Sequence, residues 1–423
     1  MESISEKIKK NNIKWVQIHF VDLMGRLRVL HLPSSKFFSE DIFKSGINFD
    51  GSSVGISSIE KSDMILIPDK ETFSILPHEN DEAKIMADIY DANLNPSPFD
   101  SRRILKSAVK ELKDYEVKIS PEIEFYVIRE VHDMPKKGGY FAPPPFDEMK
   151  NFRKCLSEIL AQSGYNIKYH HHETGSNQHE IEIGEMDAIS SADFCIYFKY
   201  IAREIAKRHG IKITFMPKPF SDDAGSGMHI HISLYKNGKN VFYDRNDEYG
   251  LSKIARFFIG GVLSHARGIS LLSNPTSNSY KRLVPNFEAP VYVAWARHNR
   301  SSLIRIPAKK EVDIEIRNGD PSANPYLFFS AVIYAGIDGI RNKIEFEPVE
   351  ENIYEMDEEE IKRRKIKKLP STLIEAVEEF EKDEVIRNAI GEASKTIVER
   401  KRMEWNEYML EVTPVDYRLY MDC

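Results

Sequence analysis

An arginine cluster lies between residues 274 and 325, among apolar, aromatic and proline residues. Its members are Arg282, Arg300, Arg305 and Arg317. Guanidinium groups bind carboxylates and phosphates through a planar fork of hydrogen-bond donors. Arginines that only form surface ion pairs usually lie among lysines and glutamates. The pattern therefore favours a substrate with several anionic groups over ion pairing at a solvated surface.

Acids and imidazoles alternate with apolar residues in four predicted strands. Because successive side chains of a strand point to opposite faces, the polar residues of each strand share one face. These residues are Glu122 and Glu124 in the first strand, Glu180 and Glu182 in the second, His229, His231 and Ser233 in the third, and Asp313, Glu315 and Arg317 in the fourth. A solvent-exposed antiparallel sheet also alternates, but its polar face normally carries lysine, threonine and mixed charges. The acids and imidazoles therefore favour a shared inward metal site.

The predicted metal is a hard divalent ion. Glutamate oxygens with one or two histidines suit Mg²⁺ or Mn²⁺ rather than a cysteine-based zinc site. The tract from His170 to His172 also suggests a metal site, but three consecutive imidazoles of a strand cannot face one point, so at most some are ligands. Spacing alone leaves Glu173 open. Hard ions beside arginines suit phosphoryl transfer, so the residues predict a metal-dependent, ATP-using enzyme with a carboxylate-bearing substrate.

The composition narrows the class of protein. The 423 residues are 41% hydrophobic and 30% charged, as in ordinary soluble globular proteins. A net charge of −7, from 59 basic and 66 acidic residues, argues against a nucleic-acid or anionic-membrane surface. Three widely spaced cysteines, Cys155, Cys195 and Cys423, cannot form a disulfide framework or a zinc ribbon, which favours the reducing cytoplasm. The longest apolar run, residues 326–340, is too short to span a membrane and predicts a buried helix.

Turn-forming residues divide the chain near residue 100. Pro96, Pro98 and Asp100 interrupt the pattern there, which predicts an N-terminal domain over residues 1–100 and a C-terminal domain over residues 101–423.

Local patterns predict elements at both ends of the chain. Residues 13–21 and 26–32 predict two strands joined by a turn, and residues 48–53 predict a tight polar loop. The last residues, 405–423, are aromatic and apolar. Such a terminal segment either packs on its own domain or docks on a neighbouring subunit.

The chain resembles glutamine synthetase of the bacterial and archaeal class I type over essentially its whole length. The shared pieces are residues 48–53, 121–125, 138–141, 171–173, 178–180, 215–219, 225–231 and 274–326. No single piece is specific to that family, but the set is.

The resemblance implies an α+β fold. A small N-terminal β-grasp-like domain would precede a large catalytic domain with a curved antiparallel sheet backed by helices. The implied reaction has two steps: ATP phosphorylates the γ-carboxylate of glutamate, and ammonia then attacks the acyl phosphate to give glutamine, ADP and phosphate. The implied assembly is a homo-oligomer, a dodecamer of two hexameric rings. Each active site would lie between the small domain of one subunit and the large domain of the next.

Residue roles follow from the same resemblance. Of two or more Mg²⁺ or Mn²⁺ ions, one is implied to bind Glu124, Glu173 and Glu180, and a second Glu122, His229 and Glu315. The implied glutamate contacts are Arg282, Arg317 and the backbone near Gly225. The implied ATP contacts are His231, Ser233, Arg300, Arg305 and Lys310. The implied catalytic residues are Asp50, which binds ammonium and takes its proton, Arg300, which faces the phosphate, and Glu288, on a flap that shields the intermediate from water. Ser53 and Tyr140 would complete the ammonium pocket.

Three departures from the family pattern stand out. Ala224 replaces the usual asparagine before the loop of residues 225–227, and the turn at residues 174–177 lacks the usual Pro-Gly. Tyr354 lies in a region that resembles the adenylylated region of some relatives, but the usual Leu-Pro-Pro type sequence does not follow it. Nucleotidyl regulation at Tyr354 is therefore not expected.

Two other functions stay open, the first because Ala224 and the altered turn would reshape the pocket. One is a ligase that joins glutamate to a polyamine or another small amine, and the other is a catalytically silent relative that acts in nitrogen signalling. Asp50 and Glu288 argue against the first, because both serve ammonium. The six implied metal ligands argue against the second, because buried carboxylates without a cation are costly.

Overall fold

The computed structural model describes residues 2–128, 139–285, 289–308 and 312–423. Its helices are α1 (Ile4–Lys10), α2 (Ile42–Ser45), α3 (Ser101–Glu111), α4 (Lys150–Gln162), α5 (Ala188–Arg208), α6 (Lys253–Ser264), α7 (Ala266–Ser273), α8 (Ser279–Arg282), α9 (Pro325–Asn342), α10 (Glu358–Arg363), α11 (Leu373–Lys382), α12 (Glu384–Ile390), α13 (Ala393–Leu410) and α14 (Pro414–Tyr420). Its strands are β1 (Trp15–Val21), β2 (Leu27–Pro33), β3 (Ile47–Asp50), β4 (Asp63–Pro68), β5 (Ser74–Ile75), β6 (Glu82–Asp91), β7 (Glu116–Ile128), β8 (Ile167–His172), β9 (Gln178–Ile183), β10 (Met186–Asp187), β11 (Lys212–Thr214), β12 (Met228–Lys236), β13 (Lys239–Asn240), β14 (Tyr292–Arg297), β15 (Ser302–Ile306), β16 (Ile314–Ile316) and β17 (Lys367–Lys368).

Within these residues the strands form a six-stranded and an eleven-stranded sheet. The smaller sheet has the order β2-β1-β6-β4-β3, with β5 beside β6. Strands β1 and β2 form the antiparallel hairpin that the sequence predicts. The larger sheet has the order β17-β14-β15-β16-β12-β7-β9-β8. Helices back this sheet, so the predicted α+β fold class is confirmed.

The predicted loop at residues 48–53 is only partly a loop. Its first three residues belong to β3, which pairs with β4 so that Asp50 lies opposite Asp63. Ile47 and Phe49 pack against the core of the smaller sheet, while Asn48 and Asp50 are exposed, as expected for a strand. The loop prediction was wrong for residues 48–50, because it followed the polar residues and overlooked this alternation. The loop begins at Gly51 and leaves Asp50 at the end of the strand.

Strand β7 is central to the larger sheet and separates apolar from acidic side chains. It pairs with β12 on one side and with β9 on the other. Ile123 and Phe125 are fully buried, and the Phe125 ring packs on Phe198 of α5 at 6.2 Å between centroids. Glu122 and Glu124 therefore lie on the face away from this core. Apolar burial on one face holds the acids of the other face in place.

The predicted buried helix is confirmed as α9, which carries a run of buried residues from Pro325 to Ile333. No helix among the described residues is both long enough and apolar enough to cross a membrane.

A buried arginine links residues near the smaller sheet to a helix behind the larger sheet. Arg102, at the start of α3, donates to Asp193 of α5 from Nε (2.9 Å) and Nη2 (2.9 Å). Its Nη1 donates to Asp88 of β6 at 2.7 Å and to Asp69 at 2.9 Å. Only 3% of Arg102 is exposed. Since these carboxylates come from both parts of the chain, one guanidinium holds the parts together.

Replacing Arg102 by methionine should destabilise the protein by roughly 3–5 kcal/mol, because the change removes the guanidinium paired with the buried carboxylate of Asp193, whereas Asp69 and Asp88 keep Lys106 as a partner. Urea unfolding measures the loss. Arg103→Met is the matched control, since the Arg103 guanidinium lies over the Tyr90 ring at 6.0 Å instead of joining this network. Equal effects of the two changes would contradict a special role for Arg102.

A second ion-pair network links the helices behind the larger sheet. His265, between α6 and α7, contacts Asp383 through Nδ1 at 2.8 Å and Asp338 of α9 through Nε2 at 3.2 Å. Burial opposes charge on this imidazole, but the two carboxylates raise its pKa above the ordinary value of 6.5. The charged form is therefore favoured in the folded state.

The pH dependence of stability should report this network. Because the folded pKa of His265 is raised, its contribution is fully present below about pH 6.5 and is lost as pH rises through the folded value. We expect the unfolding free energies of the unmodified protein and His265→Gln to differ by roughly 1 kcal/mol at pH 5.5 and to converge at high pH. A difference that grows with pH would contradict the assignment.

Candidate active site

The polar face of the larger sheet opens into a cavity of about 1240 Å³. The residues predicted from sequence that line it are Glu122, Glu124, Tyr140, Glu173, Glu180, Gly225, His229, His231, Arg282, Arg300, Arg305 and Arg317. Asp50, Ser53, Ser233 and Glu315 are not among the lining residues. Glu288 and Lys310 fall outside the residues that the structure describes. One chain thus brings the predicted acids, imidazoles and arginines together but leaves the Asp50 loop elsewhere.

One group of possible metal ligands lies where β7, β12 and β16 pair. Ligand atoms of Glu122, His231 and Glu315 all lie within 4.8 Å of one another. His229 is close as well, with Nδ1 at 3.4 Å from Glu122 and 3.9 Å from Glu315. The strand register explains this meeting, since Glu122 pairs with His229 and Glu315 with His231.

A second group lies where β8 and β9 pair. Ligand atoms of His171, Glu173 and Glu180 lie within 4.8 Å of one another. Glu124, which the resemblance assigns to this set, accepts hydrogen bonds from Gln178 Nε2 at 2.7 Å and from the Gly227 amide at 2.8 Å. Ligand atoms of Glu122, Glu180 and Glu182 also lie within 4.8 Å of one another. Carboxylates therefore run continuously from one group to the other.

In two acids of the second group, Glu124 and Glu180, burial and repulsion between carboxylates outweigh the effect of nearby cations on the pKa. Burial raises the pKa of Glu124 to about 7, and Glu173 adds to the rise. Burial also raises the pKa of Glu180 well above its usual 4.5, and Glu122, Glu124 and Glu182 raise it further. Carboxylates that repel one another in a buried site are the donors that a hard divalent ion needs. The residues therefore fit Mg²⁺ or Mn²⁺.

The first group is balanced by cations of the protein. Burial opposes ionisation of Glu122, but His231 and His229 hold its pKa well below 4.5. His231 itself is raised to a pKa of about 10, because the nearby charges of Glu122 and Asp313 outweigh its burial. The pKa of Glu315 is lowered from 4.5, because the charges of His231 and Arg317 outweigh the effect of burial. A bound cation would compete with protons for this group.

The arginines form a second layer against the acids. Arg305 Nε and Arg317 Nε donate to the two oxygens of Glu315, at 2.5 Å and 3.1 Å. Arg282 is 2% exposed and donates to the backbone carbonyls of Asn318 at 2.8 Å and Arg317 at 3.2 Å. Arg300 lines the cavity. Anionic substrate groups that enter the cavity therefore meet several fixed guanidinium groups.

Two of the three sequence departures, Ala224 and the turn at residues 174–177, lie next to each other. Ser176, in the turn at residues 174–177, donates to Asp223 through its amide at 2.8 Å and its hydroxyl at 2.6 Å. Asp223 precedes Ala224, whose carbonyl accepts from Tyr126 at 2.8 Å. A Cβ on Gly225 would lie 2.6 Å from Arg282 Cγ, so this position admits no side chain. The altered turn and the altered loop thus shape one wall of the cavity.

Asp50 carries a carboxylate that stays ionised. It accepts from the Ser52 hydroxyl at 2.6 Å and also from the Ser53 hydroxyl. These hydrogen bonds lower its pKa to about 2, and the side chain is open to solvent. Asp50 is therefore a ready counter-charge for a cation.

The sequence placed Glu182 on the polar face but gave it no individual role, and it left open which histidine of residues 170–172 is a ligand. Glu182 shares a face with Glu180, and the structure brings both within 4.8 Å of Glu122. His171 faces Glu180 only because β8 and β9 pair in that register. Nothing in the tract of three histidines distinguishes His171 before that pairing is known.

Comparison with protein families gives two matches. A model described as glutamine synthetase, beta-Grasp domain, matches residues 12–92, and one described as glutamine synthetase, catalytic domain, matches residues 98–420. Among solved structures, a GmaS/ADP complex covers 100% of both chains at a TM-score of 0.93 and 29% identity. The cryoEM structure of Plasmodium falciparum glutamine synthetase covers 99% of this chain and 100% of that chain, at a TM-score of 0.88 and 27% identity.

Curated relatives agree with the family models. The glutamine synthetase of Pyrococcus furiosus is 45% identical over 96% of this chain and 93% of that protein. That of Methanocaldococcus jannaschii is 40% identical over 100% of this chain and 98% of that protein. The resemblance seen in the sequence, including the β-grasp domain, is confirmed. The chain belongs to the glutamine synthetase family.

Proposed function

We propose that the protein catalyses the ATP-dependent ligation of ammonia to the γ-carboxylate of L-glutamate. The products are L-glutamine, ADP and phosphate, and γ-glutamyl phosphate is the intermediate. One observation carries the proposal: buried acids and imidazoles of the sheet share a single cavity with four arginines. Such a cavity suits a nucleotide and an amino acid that must react with each other.

Two or more Mg²⁺ or Mn²⁺ ions would bind the two groups of possible metal ligands. Glu122, His229 and Glu315, with His231 beside them, would hold one, and Glu124, Glu173 and Glu180, with His171 beside them, another. Bound divalent ions supply charge neutralisation for the phosphates of ATP. Their charge would also lower the raised pKa values of Glu124 and Glu180.

The arginines divide between two substrates in this proposal. Arg282 and Arg317 bind carboxylates of glutamate, and the backbone at Gly225 borders the same pocket. Arg300 and Arg305 face the phosphate that is transferred and stabilise the charge that develops on it. His231, Ser233 and Lys310 would contact the nucleotide. Because His231 also belongs to the first group of possible metal ligands, it would lie between the nucleotide and the metal ion of that group.

Ammonia use would depend on Asp50, Ser53, Tyr140 and Glu288. Asp50 binds ammonium and accepts its proton, and Glu288 keeps water from the acyl phosphate. Asp50 does not line the cavity of its own chain, so we propose that the small domain, residues 1–100, completes the site in the catalytic domain of a neighbouring subunit. This arrangement requires a homo-oligomer, and we propose a dodecamer of two hexameric rings in the cytoplasm.

The C-terminal segment supports an oligomer. Leu410, Val412 and Met421 are exposed by 82%, 65% and 77%. Apolar side chains exposed to this degree at the end of a chain are suited to docking on another subunit.

A substrate assay tests the proposed function. Purified protein with Mg²⁺, ATP and glutamate should release phosphate only when ammonia is added, and glutamine should form in equal amount. Ethylamine and a polyamine serve as matched acceptors. Faster release with either amine would favour an amine ligase, and no release with any acceptor would favour a silent relative.

A further inference from the structure

The loop between β3 and β4, residues 51–62, sets the position of Asp50. The carboxylate of Asp50 is held by the loop's own groups, the Ser52 amide at 2.9 Å and the hydroxyls of Ser52 and Ser53. Any shift of the loop therefore shifts the carboxylate. What fixes the loop also fixes the group that binds ammonium in the proposed function.

The loop has one anchor in each part of the chain. Ile56 is 2% exposed and belongs to the core of the smaller sheet. On the other side, Arg400 of α13 donates from Nη2 to the carbonyl of Gly55 at 2.6 Å. Among the described residues, this is the only side-chain hydrogen bond between residues 51–62 and any residue beyond 100.

The contact at Gly55 is a close fit. Gly55 has φ +69°, a conformation that side chains rarely adopt, and a Cβ there would collide with the guanidinium of Arg400. A cavity of about 1120 Å³ lies beside the contact and is lined by Val54, Thr276 and Arg400 among others. Apolar packing therefore does not replace the hydrogen bond on this side of the loop.

Helix α13, which carries Arg400, is held in place by buried side chains and hydrogen bonds. Ala393 and Ile397 of this helix are buried in the main core. Glu404, one turn after Arg400, accepts from the Ser277 amide at 3.1 Å and from Lys401 at 2.7 Å. Ser277 lies in the segment that leads to Arg282. The helix thus contacts both the Asp50 loop and the segment that carries an arginine of its own chain's cavity.

We propose that Arg400 is a positioning residue that holds the Asp50 loop in the orientation required for ammonium binding. This inference rests on the proposed function. Arg400 touches no substrate; it acts through Gly55 on Asp50. Loss of the contact should weaken ammonia use and leave the binding of ATP and glutamate unchanged, since their residues lie in the cavity of the larger sheet.

Steady-state kinetics of Arg400→Gln, Arg400→Lys and Arg402→Gln test the proposal. We expect Arg400→Gln to raise the KM for ammonia about ten-fold, the effect of one lost hydrogen bond, with unchanged KM values for ATP and glutamate. Arg400→Lys should recover part of the loss, because lysine can still donate to the Gly55 carbonyl. Arg402→Gln is the matched control: it removes an arginine of the same helix, which pairs with Glu381 at 2.5 Å.

The outcomes separate this inference from the proposed function. An unchanged KM for ammonia in Arg400→Gln, or an equal rise in all three KM values, would overturn the role of Arg400. A rise in the KM for ammonia of Arg402→Gln as large as that of Arg400→Gln would also overturn it. Absence of ammonia-dependent turnover in the unmodified protein would instead contradict the proposed function. Size-exclusion chromatography and thermal unfolding of each variant identify a general folding defect, which Arg400→Lys should not share.

Discussion

Asp50→Ala should lower ammonia-dependent glutamine formation by a factor on the order of 10²–10⁴, the usual contribution of a positioned acid or base. The variant should still bind ATP. Ammonia use should fall because Ser52 and Ser53 hold an ionised carboxylate at the end of β3, with a pKa of about 2. The other acid of the loop, Glu60, lies ten residues further along the chain. The measurement is kcat/KM for ammonia, together with an ATP-binding titration.

Asp63→Ala is the matched control for Asp50. It removes an exposed acid directly opposite Asp50 on β4, so it changes the net charge of the small domain equally. Only the Asp50 change should affect ammonia kinetics. Unchanged ammonia kinetics in Asp50→Ala would refute the assignment of this residue.

Glu180→Gln should change activity and stability in opposite directions. Burial and three neighbouring carboxylates raise the pKa of Glu180 in the folded state, so its ionisation costs folding free energy once pH exceeds the unfolded value near 4.5. A neutral amide removes that cost, and the metal-free variant should be roughly 1–3 kcal/mol more stable at pH 8. Turnover should fall by about 10²–10³, because a ligand of the divalent ion is lost.

Urea unfolding in the presence of a chelator and a Mg²⁺ titration of activity measure the two effects. The stability gain should disappear below about pH 4.5, where the glutamate is protonated in both states. Glu185→Gln, an exposed acid near the same sheet, should change neither quantity. A Glu180→Gln variant that is less stable without metal, or equally active with it, would contradict the assignment of Glu180 to a buried metal site.

Local alternation predicted the part of the site that each strand determines by itself. Glu122 and Glu124, or His229 and His231, share a face in any strand that contains them. Which of them meet depends on pairing between β7, β9, β12 and β16, and these strands are far apart in the sequence. For that reason the sequence could not tell which of the three consecutive histidines belongs to the site, nor that His231 lies within 4.8 Å of Glu122 and Glu315.

The position of Asp50 shows a different limit of sequence reasoning. Its motif was recognised, but β3 was read as a loop, and the contact of Gly55 with Arg400 joins residues 345 positions apart. No local pattern in the sequence predicts such a contact. The roles of Glu288 and Lys310 remain predictions from the resemblance alone.

The proposed reaction depends on activation of the γ-carboxylate of glutamate as an acyl phosphate. Glutamate with both γ oxygens labelled with ¹⁸O tests this step directly, by mass spectrometry of the inorganic phosphate formed during ammonia-dependent turnover. We expect one labelled oxygen in each phosphate, because ammonia displaces a phosphate that keeps the oxygen it received from glutamate. Unlabelled phosphate alongside normal glutamine formation would contradict the account.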